Sequence, residues 1–93
     1  MERVASPSSE ASLLQRAQRL AVDRPTEALR ILAEHGRVYP SGILAPEREV
    51  LAIQILRAQS RISEANSRLA AFRQRYPDSV YLERLEQRAQ PAR

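Results

Sequence analysis

The sequence contains no cysteine, no lysine and no tryptophan among its 93 residues, and only two glycines. The absence of cysteine excludes a disulfide, a thiolate metal site, a catalytic thiol and lipid attachment through sulfur in this chain. Aromatic residues make up only 4% of the chain, although aromatic and β-branched residues are the ones that favour strands. Ala, Leu, Arg, Gln and Glu are abundant instead, and these favour helices. The composition therefore predicts an all-α fold.

Long hydrophobic runs are also missing. The densest apolar stretch covers residues 50–56, which is far shorter than the roughly 20 residues that a helix needs to cross a bilayer. Residues 1–7 lack the apolar centre of a secretion signal. We therefore expect that this chain does not insert into a membrane. Its length suits one small domain whose core is marginal in buried area.

The net charge of +4 is unevenly distributed along the chain. Residues 1–56 contain seven arginines and seven carboxylates, whereas residues 57–93 contain eight arginines and four carboxylates. We interpret the use of arginine alone as the mark of a GC-rich coding sequence, because phosphate-binding surfaces usually recruit lysine as well. The positive charge is therefore weak support for a nucleic-acid partner.

Residues 50–56 are the stretch around which the chain is organised. Six of these seven side chains are apolar, so a single stripe of a helix cannot hold them all. Pro46 is a typical first-turn residue, and the residues after it favour helix over strand. We therefore predict a central helix over residues 46–59 that other helices cover on more than one side.

Apolar spacing and helix-breaking residues predict four further helices. These cover residues 10–22, 25–39, 61–76 and 78–90. Residues 1–8 are expected to form a flexible leader. Asp23 is expected to cap the second helix, and Asp78 or Ser79 the fifth.

The predicted core follows from the apolar face of each helix. In the fourth helix, that face comprises Ile62, Ala65, Leu69, Phe72 and Tyr76. Across the chain, the side chains expected to be buried are Leu14, Leu32, Leu51, Ile55, Leu69, Phe72 and Leu85.

The sequence repeats itself at an offset of 37 residues. This offset superposes Glu27-Ala28 on Glu64-Ala65, and Tyr39-Pro40 on Tyr76-Pro77. Two helices per unit of about this length are the signature of a helical solenoid, in which each hairpin covers its apolar face by stacking on the next. The expected architecture is therefore a short antiparallel helical-hairpin repeat, with hairpins over residues 10–39 and 46–76 and a capping helix over residues 78–90.

These recurring residues resemble the tetratricopeptide repeat, which has a small residue early in the second helix of each unit and a proline that closes the unit. The corresponding residues in this sequence are Ala28 and Ala65, and Pro40 and Pro77. Residues 69–81 look most similar to the repeats of outer-membrane assembly lipoproteins and periplasmic cell-division coordinators of Gram-negative bacteria. If the resemblance holds and the chain belongs to a longer protein, it implies a periplasmic or cell-envelope location; otherwise we expect a cytoplasmic one.

The resemblance also implies a scaffold module that binds a peptide or a partner helix and performs no catalysis. Tetratricopeptide repeats hold such partners against the first helices of successive units. Carried over by matching positions, the partner-binding residues here are Glu10, Leu13, Ala17, Leu20, Glu47, Val50, Gln54 and Arg57.

Arg61, Arg68 and Arg75 recur every seventh residue and therefore share one face of the fourth helix. We interpret this face as a solvated charged surface. The alternative is a small arginine-rich nucleic-acid-binding protein, in which this face contacts an anionic partner. Neither a phosphate-binding loop nor a base-stacking aromatic pattern supports that alternative.

His35 is the only histidine in the chain, and the 37-residue offset aligns it with Phe72. We therefore predict a buried structural histidine, because the sequence spaces no partner residues to converge on it as a catalytic or metal site requires. Glu27 and Glu64 fall in first helical turns, where a carboxylate favours the helix dipole. Gly36, inside the second helix, indicates a close helix crossing. We expect no catalytic, metal or cofactor site.

The first-helix end of the predicted solenoid has no covering helix. Leu13 and Leu14 lie there, and Ile43 and Leu44 add apolar residues nearby. Since two hairpins are close to the minimum for a solenoid, we predict that this end is a contact surface, used for a homodimer or for the rest of a longer protein.

Overall fold

The computed structural model describes residues 7–89, with the side chains of residues 9–87. This part of the chain contains five α-helices and no strand, which confirms the all-α prediction. The helices are α1 (Pro7–Leu20), α2 (Pro25–Val38), α3 (Ala45–Ala58), α4 (Ile62–Arg75) and α5 (Val80–Ala89). The predicted bounds of the last four helices agree with these to within two residues.

The first helix begins earlier than the sequence predicts. Pro7 is its first residue, a position that suits proline because the first N–H groups of a helix have no partner within it. Residues 7 and 8 therefore belong to the helix rather than to the expected leader, and α1 ends at Leu20 rather than at residue 22. The rest of the expected leader, residues 1–6, lies outside the described residues.

The expected cap of α2 is wrong, whereas that of α5 is confirmed. Arg24 rather than Asp23 is the N-cap of α2, and no side chain caps this helix. The carbonyl of Arg24 accepts the N–H of Ala28 at 2.9 Å as the first turn closes. At α5, the hydroxyl of Ser79 accepts the N–H of Tyr81 at 3.1 Å.

The 37-residue repeat is visible in the backbone. Tyr39 and Tyr76, the C-terminal caps of α2 and α4, have φ and ψ values of −126° and 62°, and of −129° and 60°. The N–H of each donates to the carbonyl four residues earlier at 2.8 Å. In the turns that follow, Gly42 donates to Tyr39 and Ser79 donates to Tyr76, both at 3.1 Å. The same Tyr-Pro turn therefore leads into α3 and into α5.

Two hydrophobic clusters form the core. Helices α1 and α2 pack into one hairpin and α3 and α4 into a second; α2 contacts α3, and α5 contacts α4. The first cluster comprises Leu14, Ala17, Ala28, Ile31, Leu32, Ala52 and Ile55. The second comprises Ile53, Leu56, Ala65, Leu69, Phe72 and Leu85.

Helix α3 is central, as predicted. Ala52 and Ile55 pack in the first cluster, whereas Ile53, between them in sequence, packs in the second. A helix whose neighbouring side chains face opposite clusters must be covered on two sides, which explains why residues 50–56 are almost all apolar.

The predicted core is largely confirmed, with two corrections. Leu14, Leu32, Ile55, Leu69, Phe72 and Leu85 are buried. Leu51 is only half-buried, because it lies at the edge of the first cluster. Ile62, expected on the buried face of α4, is 51% exposed because it is the first residue of the helix and projects beyond the second cluster.

The first-helix end is less apolar than predicted. Leu14 is buried in the first cluster, and Leu13 and Leu44 are half-buried against it. Of the four residues expected to form an apolar surface here, Ile43 is the exposed one, at 77%. The described side chains of α1 that face solvent are polar, namely Ser9, Ser12, Gln15, Arg16, Gln18 and Arg19.

Candidate partner-binding groove

An apolar groove lies between the two hairpins, beside the turn that joins α1 to α2. Its volume is about 340 Å³, and most of its exposed lining surface is apolar. The lining residues are Ala21, Val22, Pro25, Leu51, Gln54, Ile55, Ala58 and Gln59. We call this feature the groove. An apolar surface of this kind releases free energy when a partner removes it from water.

One wall of the groove is the turn between α1 and α2. The N–H of Arg24 donates to the carbonyl of Leu20 at 2.8 Å, which closes the turn tightly. Val22 projects from the outside of this turn and is 88% exposed. It therefore offers a partner an apolar contact without contributing to the core of the free chain.

The floor of the groove is α3. Leu51, Ile55 and Ala58 are spaced by four and three residues, which places them on one face of the helix. Ile55 is buried, Leu51 is half-buried and Ala58 is exposed, so the floor extends the first cluster outward. Gln54 and Gln59 are the polar lining residues, which we call the edges of the groove. An amide can both donate and accept hydrogen bonds, and Oε1 of Gln59 already accepts one from Arg61 at 3.0 Å.

The α1 residues predicted for partner binding face inward. Glu10 and Ala17 are 4% and 0% exposed, so they offer no surface to a partner in this conformation. Leu13 and Leu20 are half-buried and pack against the first cluster. The polar outer face of α1 leaves little of these residues accessible.

Among the predicted α3 residues, Gln54 lies in the groove and is exposed. The other three are engaged with the region of α5. Glu47 accepts the hydroxyl of Tyr81 at 3.0 Å, and a terminal nitrogen of Arg57 donates to the carbonyl of Leu85 at 2.8 Å. Val50 is half-buried against the second cluster. Helix α5 therefore covers much of the expected partner face of α3.

The predicted arginine face of α4 is exposed, but two of its members bind carboxylates of the chain itself. Arg61 donates to Glu64 at 2.5 Å and 3.0 Å, and Arg68 donates to Glu49 at 2.6 Å. Arg75 lies over the ring of Tyr76, 5.8 Å from its centroid. The guanidinium groups remain partly accessible to an anion, with their charge balanced locally at Arg61 and Arg68.

A cluster of buried polar side chains lies at the other end of the contact between the hairpins. Glu10 from α1, His35 from α2 and Arg48 from α3 meet here, and we call them the histidine cluster. Nε2 of His35 lies 3.5 Å from Oε2 of Glu10, and Nη1 of Arg48 lies 3.2 Å from Nδ1 of His35. His35 is buried as predicted. Its polar neighbours Glu10 and Arg48 come from two other helices, so spacing along the sequence did not indicate them.

The histidine cluster also fixes the loop between α2 and α3. Oε2 of Glu10 accepts the N–H of Leu44 at 2.9 Å. Arg48 donates to the carbonyl of Tyr39 at 3.1 Å and to Glu49 at 2.9 Å. Burial lowers the pKa of His35 and so does the charge of Arg48, whereas Glu10 and Glu49 act in the opposite direction. The ring is thereby held neutral near pH 7.

Gly36 lies against this cluster. A Cβ at this residue would stand 3.5 Å from Nε of Arg48, which belongs to the end of a long side chain and not to a neighbouring backbone, so the close helix crossing expected from the glycine stays a prediction. That distance is an ordinary van der Waals contact rather than a clash.

A second hollow, of about 550 Å³, lies on α5 and the turn before it. Its lining includes the carboxylates of Asp78, Glu83 and Glu86 beside Leu82. It is more polar than the groove and therefore offers less hydrophobic driving force to a partner.

Most residues of the groove were not predicted from the sequence. For Val22 and Pro25, the sequence predicts only a helix end and a helix start. The available signal was Val22 itself, a large apolar residue directly before Asp23 in the turn between two helices. The sequence predicts a buried Leu51, whereas the packing of α1 and α2 leaves it half-buried at the first cluster.

Among residues 7–89, the structure contains no cluster of His, Asp or Glu side chains able to hold a metal ion. Within the same range, no helix is both long enough and apolar enough to cross a membrane. Comparison with known proteins gave no match to a family model, to a curated protein or to a solved structure.

Proposed function

We propose that this chain is a protein-interaction module that binds an apolar segment of a partner protein in the groove. The observation that carries this proposal is that exposed Val22 in the wall and half-buried Leu51 in the floor line one apolar depression. An amphipathic helix of the partner fits such a depression, because its apolar side chains recur at spacings of three and four residues. The resemblance to tetratricopeptide repeats supports the same kind of ligand.

The floor and the edges of the groove have different roles in this proposal. Leu51, Ile55 and Ala58 supply apolar area, which contributes roughly 25 cal/mol for each Å² that a partner covers. Gln54 and Gln59 supply hydrogen bonds that fix the orientation of the partner. Specificity then depends on these two amides, whereas affinity depends mainly on the apolar floor.

The proposal includes no catalysis and no cofactor. We place the module within a larger assembly of the cell envelope or of a regulatory complex, as the family resemblance implies. Binding of nucleic acid is less well supported, because Arg61 and Arg68 already pair with Glu64 and Glu49. An anionic backbone would have to compete with these carboxylates for the same guanidinium groups.

Photo-crosslinking in the native cells tests this proposal. A photoreactive amino acid replaces Gln54 in the groove, and the matched control carries it at Gln74, an exposed glutamine of α4. We expect residue 54 to capture a defined protein segment that residue 74 does not capture. The Val22→Glu substitution should then abolish this crosslink, because a buried carboxylate without a partner is strongly unfavourable.

Val80→Glu is the matched control for that substitution, since Val80 is 79% exposed and lies outside the groove. Equal capture at residues 54 and 74, or equal loss with both glutamates, would contradict the assignment of the groove as the binding site.

A further inference from the structure

The histidine cluster determines which ring nitrogen of His35 carries the proton. A guanidinium group can only donate hydrogen bonds, so Nδ1 of His35 must accept from Arg48. The proton of the neutral ring therefore lies on Nε2, which faces the carboxylate of Glu10 at 3.5 Å. Both ring nitrogens thus already have a charged neighbour before a second proton arrives.

A second proton on His35 would have to lie on Nδ1. It would then point at the guanidinium of Arg48 from 3.2 Å, and the hydrogen bond between the two residues would be lost. Arg48 cannot simply turn away, because it is 7% exposed and also holds the carbonyl of Tyr39. The repulsion therefore acts directly on the contact between α2 and α3.

The charged and titratable groups that face His35 come from each element around it. Glu10 faces it from α1, and Arg48 and Glu49 face it from α3. The ring of Tyr39, at the end of α2, lies 5.4 Å from the imidazole. Arg68 of α4 donates a hydrogen bond to Glu49. The negative charge of Glu49 therefore acts less strongly on His35. Glu10 is therefore the main group that favours the charged ring.

We propose that the histidine cluster is a pH-sensitive latch: a second proton on His35 displaces Arg48, releases the first hairpin from α3 and opens the groove that lies between them. The effect on binding rests on the proposed function, whereas the release of the hairpin does not. One wall of the groove is the α1–α2 turn and its floor is α3. When the first hairpin separates from α3, the groove is therefore lost.

The direction of the pH effect follows from which state binds the proton more tightly. The pKa of His35 is lowered from 6.5 in the folded chain, so the opened state gains the proton first as the pH falls. The closed state is then fully favoured above pH 6.5 and loses stability below it. The opening equilibrium rises by up to about tenfold for each pH unit in that window.

Hydrogen exchange at the amide of Leu44 tests the latch, because this N–H donates to Glu10 in the closed state. Tyr81, 37 residues later, supplies the control amide, which donates to Ser79 in the equivalent turn. Between pH 7.5 and 5.5 we expect the protection factor of Leu44, corrected for intrinsic exchange, to fall about three- to tenfold. That of Tyr81 should stay constant.

His35→Gln is the matched variant, since an amide hydrogen bonds but does not titrate. In it, we expect the protection of Leu44 to be independent of pH over the same range. The latch would be overturned if Leu44 kept its protection in the parent chain, or if the variant lost it as steeply.

Nitrogen-15 NMR of the parent chain tests the latch even if His35→Gln fails to fold, because His35 is the only histidine in the sequence. We expect a ring protonated on Nε2 at pH 7.5, and a second proton only at the pH where Leu44 opens. A doubly protonated His35 beside a fully protected Leu44 would contradict the proposal.

Binding is the last measurement. The segment captured at residue 54 should lose affinity for the parent chain between pH 7.5 and 5.5, and not for His35→Gln. If no segment is captured, the proposed function fails, whereas the exchange of Leu44 still decides the latch.

Discussion

The carboxylate of Glu10 occupies the space in which a side chain at residue 42 would lie. A Cβ on Gly42 would stand 2.6 Å from Cδ of Glu10, much closer than the 3.5 to 4.0 Å, roughly, at which carbon atoms attract each other. The same carboxylate accepts the N–H of Leu44 and so holds the α2–α3 loop against α1. Since Gly42 does not have a positive φ, space rather than backbone conformation requires glycine here.

Gly42→Ala should therefore lower the free energy of unfolding by about 1 to 3 kcal/mol, through displacement of Glu10 from Leu44. Gly36→Ala is the control, because its Cβ would only touch Arg48 and alanine favours the helix by about 0.5 to 1 kcal/mol. Denaturant melts of the two variants should shift in opposite directions. Two shifts of the same sign and size would contradict the described position of Glu10.

The two-sided packing of α3 predicts unequal costs for two neighbouring truncations. Ile53 is 0% exposed in the second cluster, so Ile53→Ala should cost about 2 to 5 kcal/mol. Leu51 is half-buried at the groove, and Leu51→Ala should cost only about 1 kcal/mol. Chemical denaturation measures both. A Leu51→Ala cost equal to that of Ile53→Ala would mean that the groove is filled by the chain itself.

Ser60 follows the end of α3 and has a strained, left-handed backbone conformation. Its φ is 62°, and the N–H of Arg61 reaches back to the carbonyl of Leu56 at 2.8 Å, as in a Schellman motif. Glycine suits this left-handed position better than serine. Ser60→Gly should therefore stabilise the fold by about 0.5 to 1 kcal/mol, which thermal melts can detect. A destabilised variant would exclude this turn conformation.

The raised pKa of Tyr81 should make the folded chain less stable at high pH. The hydrogen bond to Glu47 and the charge of that carboxylate raise the pKa of Tyr81 from 10, as burial also does, against a small effect of Arg84. The folded state thus keeps the proton that the unfolded state loses, so this stabilisation is complete below pH 10 and declines above it. Between pH 9 and 11, the free energy of unfolding should decline less for Tyr81→Phe than for the parent chain.

Tyr39→Phe is the control, because the Tyr39 hydroxyl bonds no other described residue. The free energy of unfolding of Tyr39→Phe should decline as much as that of the parent chain. A decline in Tyr81→Phe as large as in the parent would remove the role assigned to the bond with Glu47.

The five helices could be predicted from the sequence because their signals are local. Pro25 and Pro46 lie in the first turns of α2 and α3, and the apolar residues on both faces of α3 placed it at the centre. Glu10 could not be placed in the same way, since its partners come from α2, α3 and the loop between them. A helical pattern treats a polar residue in a first turn as exposed, whereas here the approach of Gly42 and His35 buries it.

The groove was missed for a related reason. Its floor consists of α3 residues that the sequence assigns to a two-sided core, and its wall is a turn that carries no recognised motif. Which part of α3 stays uncovered depends on where α1 ends, and that end lies two residues before the predicted one. Of the predicted partner residues of α3, only Gln54 lies in the groove. Glu47 is instead reached by Tyr81 of α5, which is a long-range contact.

The affinity of the segment captured at residue 54 is the measurement that tests the central claim most directly. It is measured for the parent chain, for Val22→Glu and Val80→Glu, and for Arg68→Ala with Arg75→Ala, at low and at physiological salt. We predict that Val22→Glu weakens binding by at least about tenfold, or 1.4 kcal/mol, while the other variants and salt change it little. Strong loss with salt and with the arginine variants, and none with Val22→Glu, would instead support binding of an anionic partner on α4.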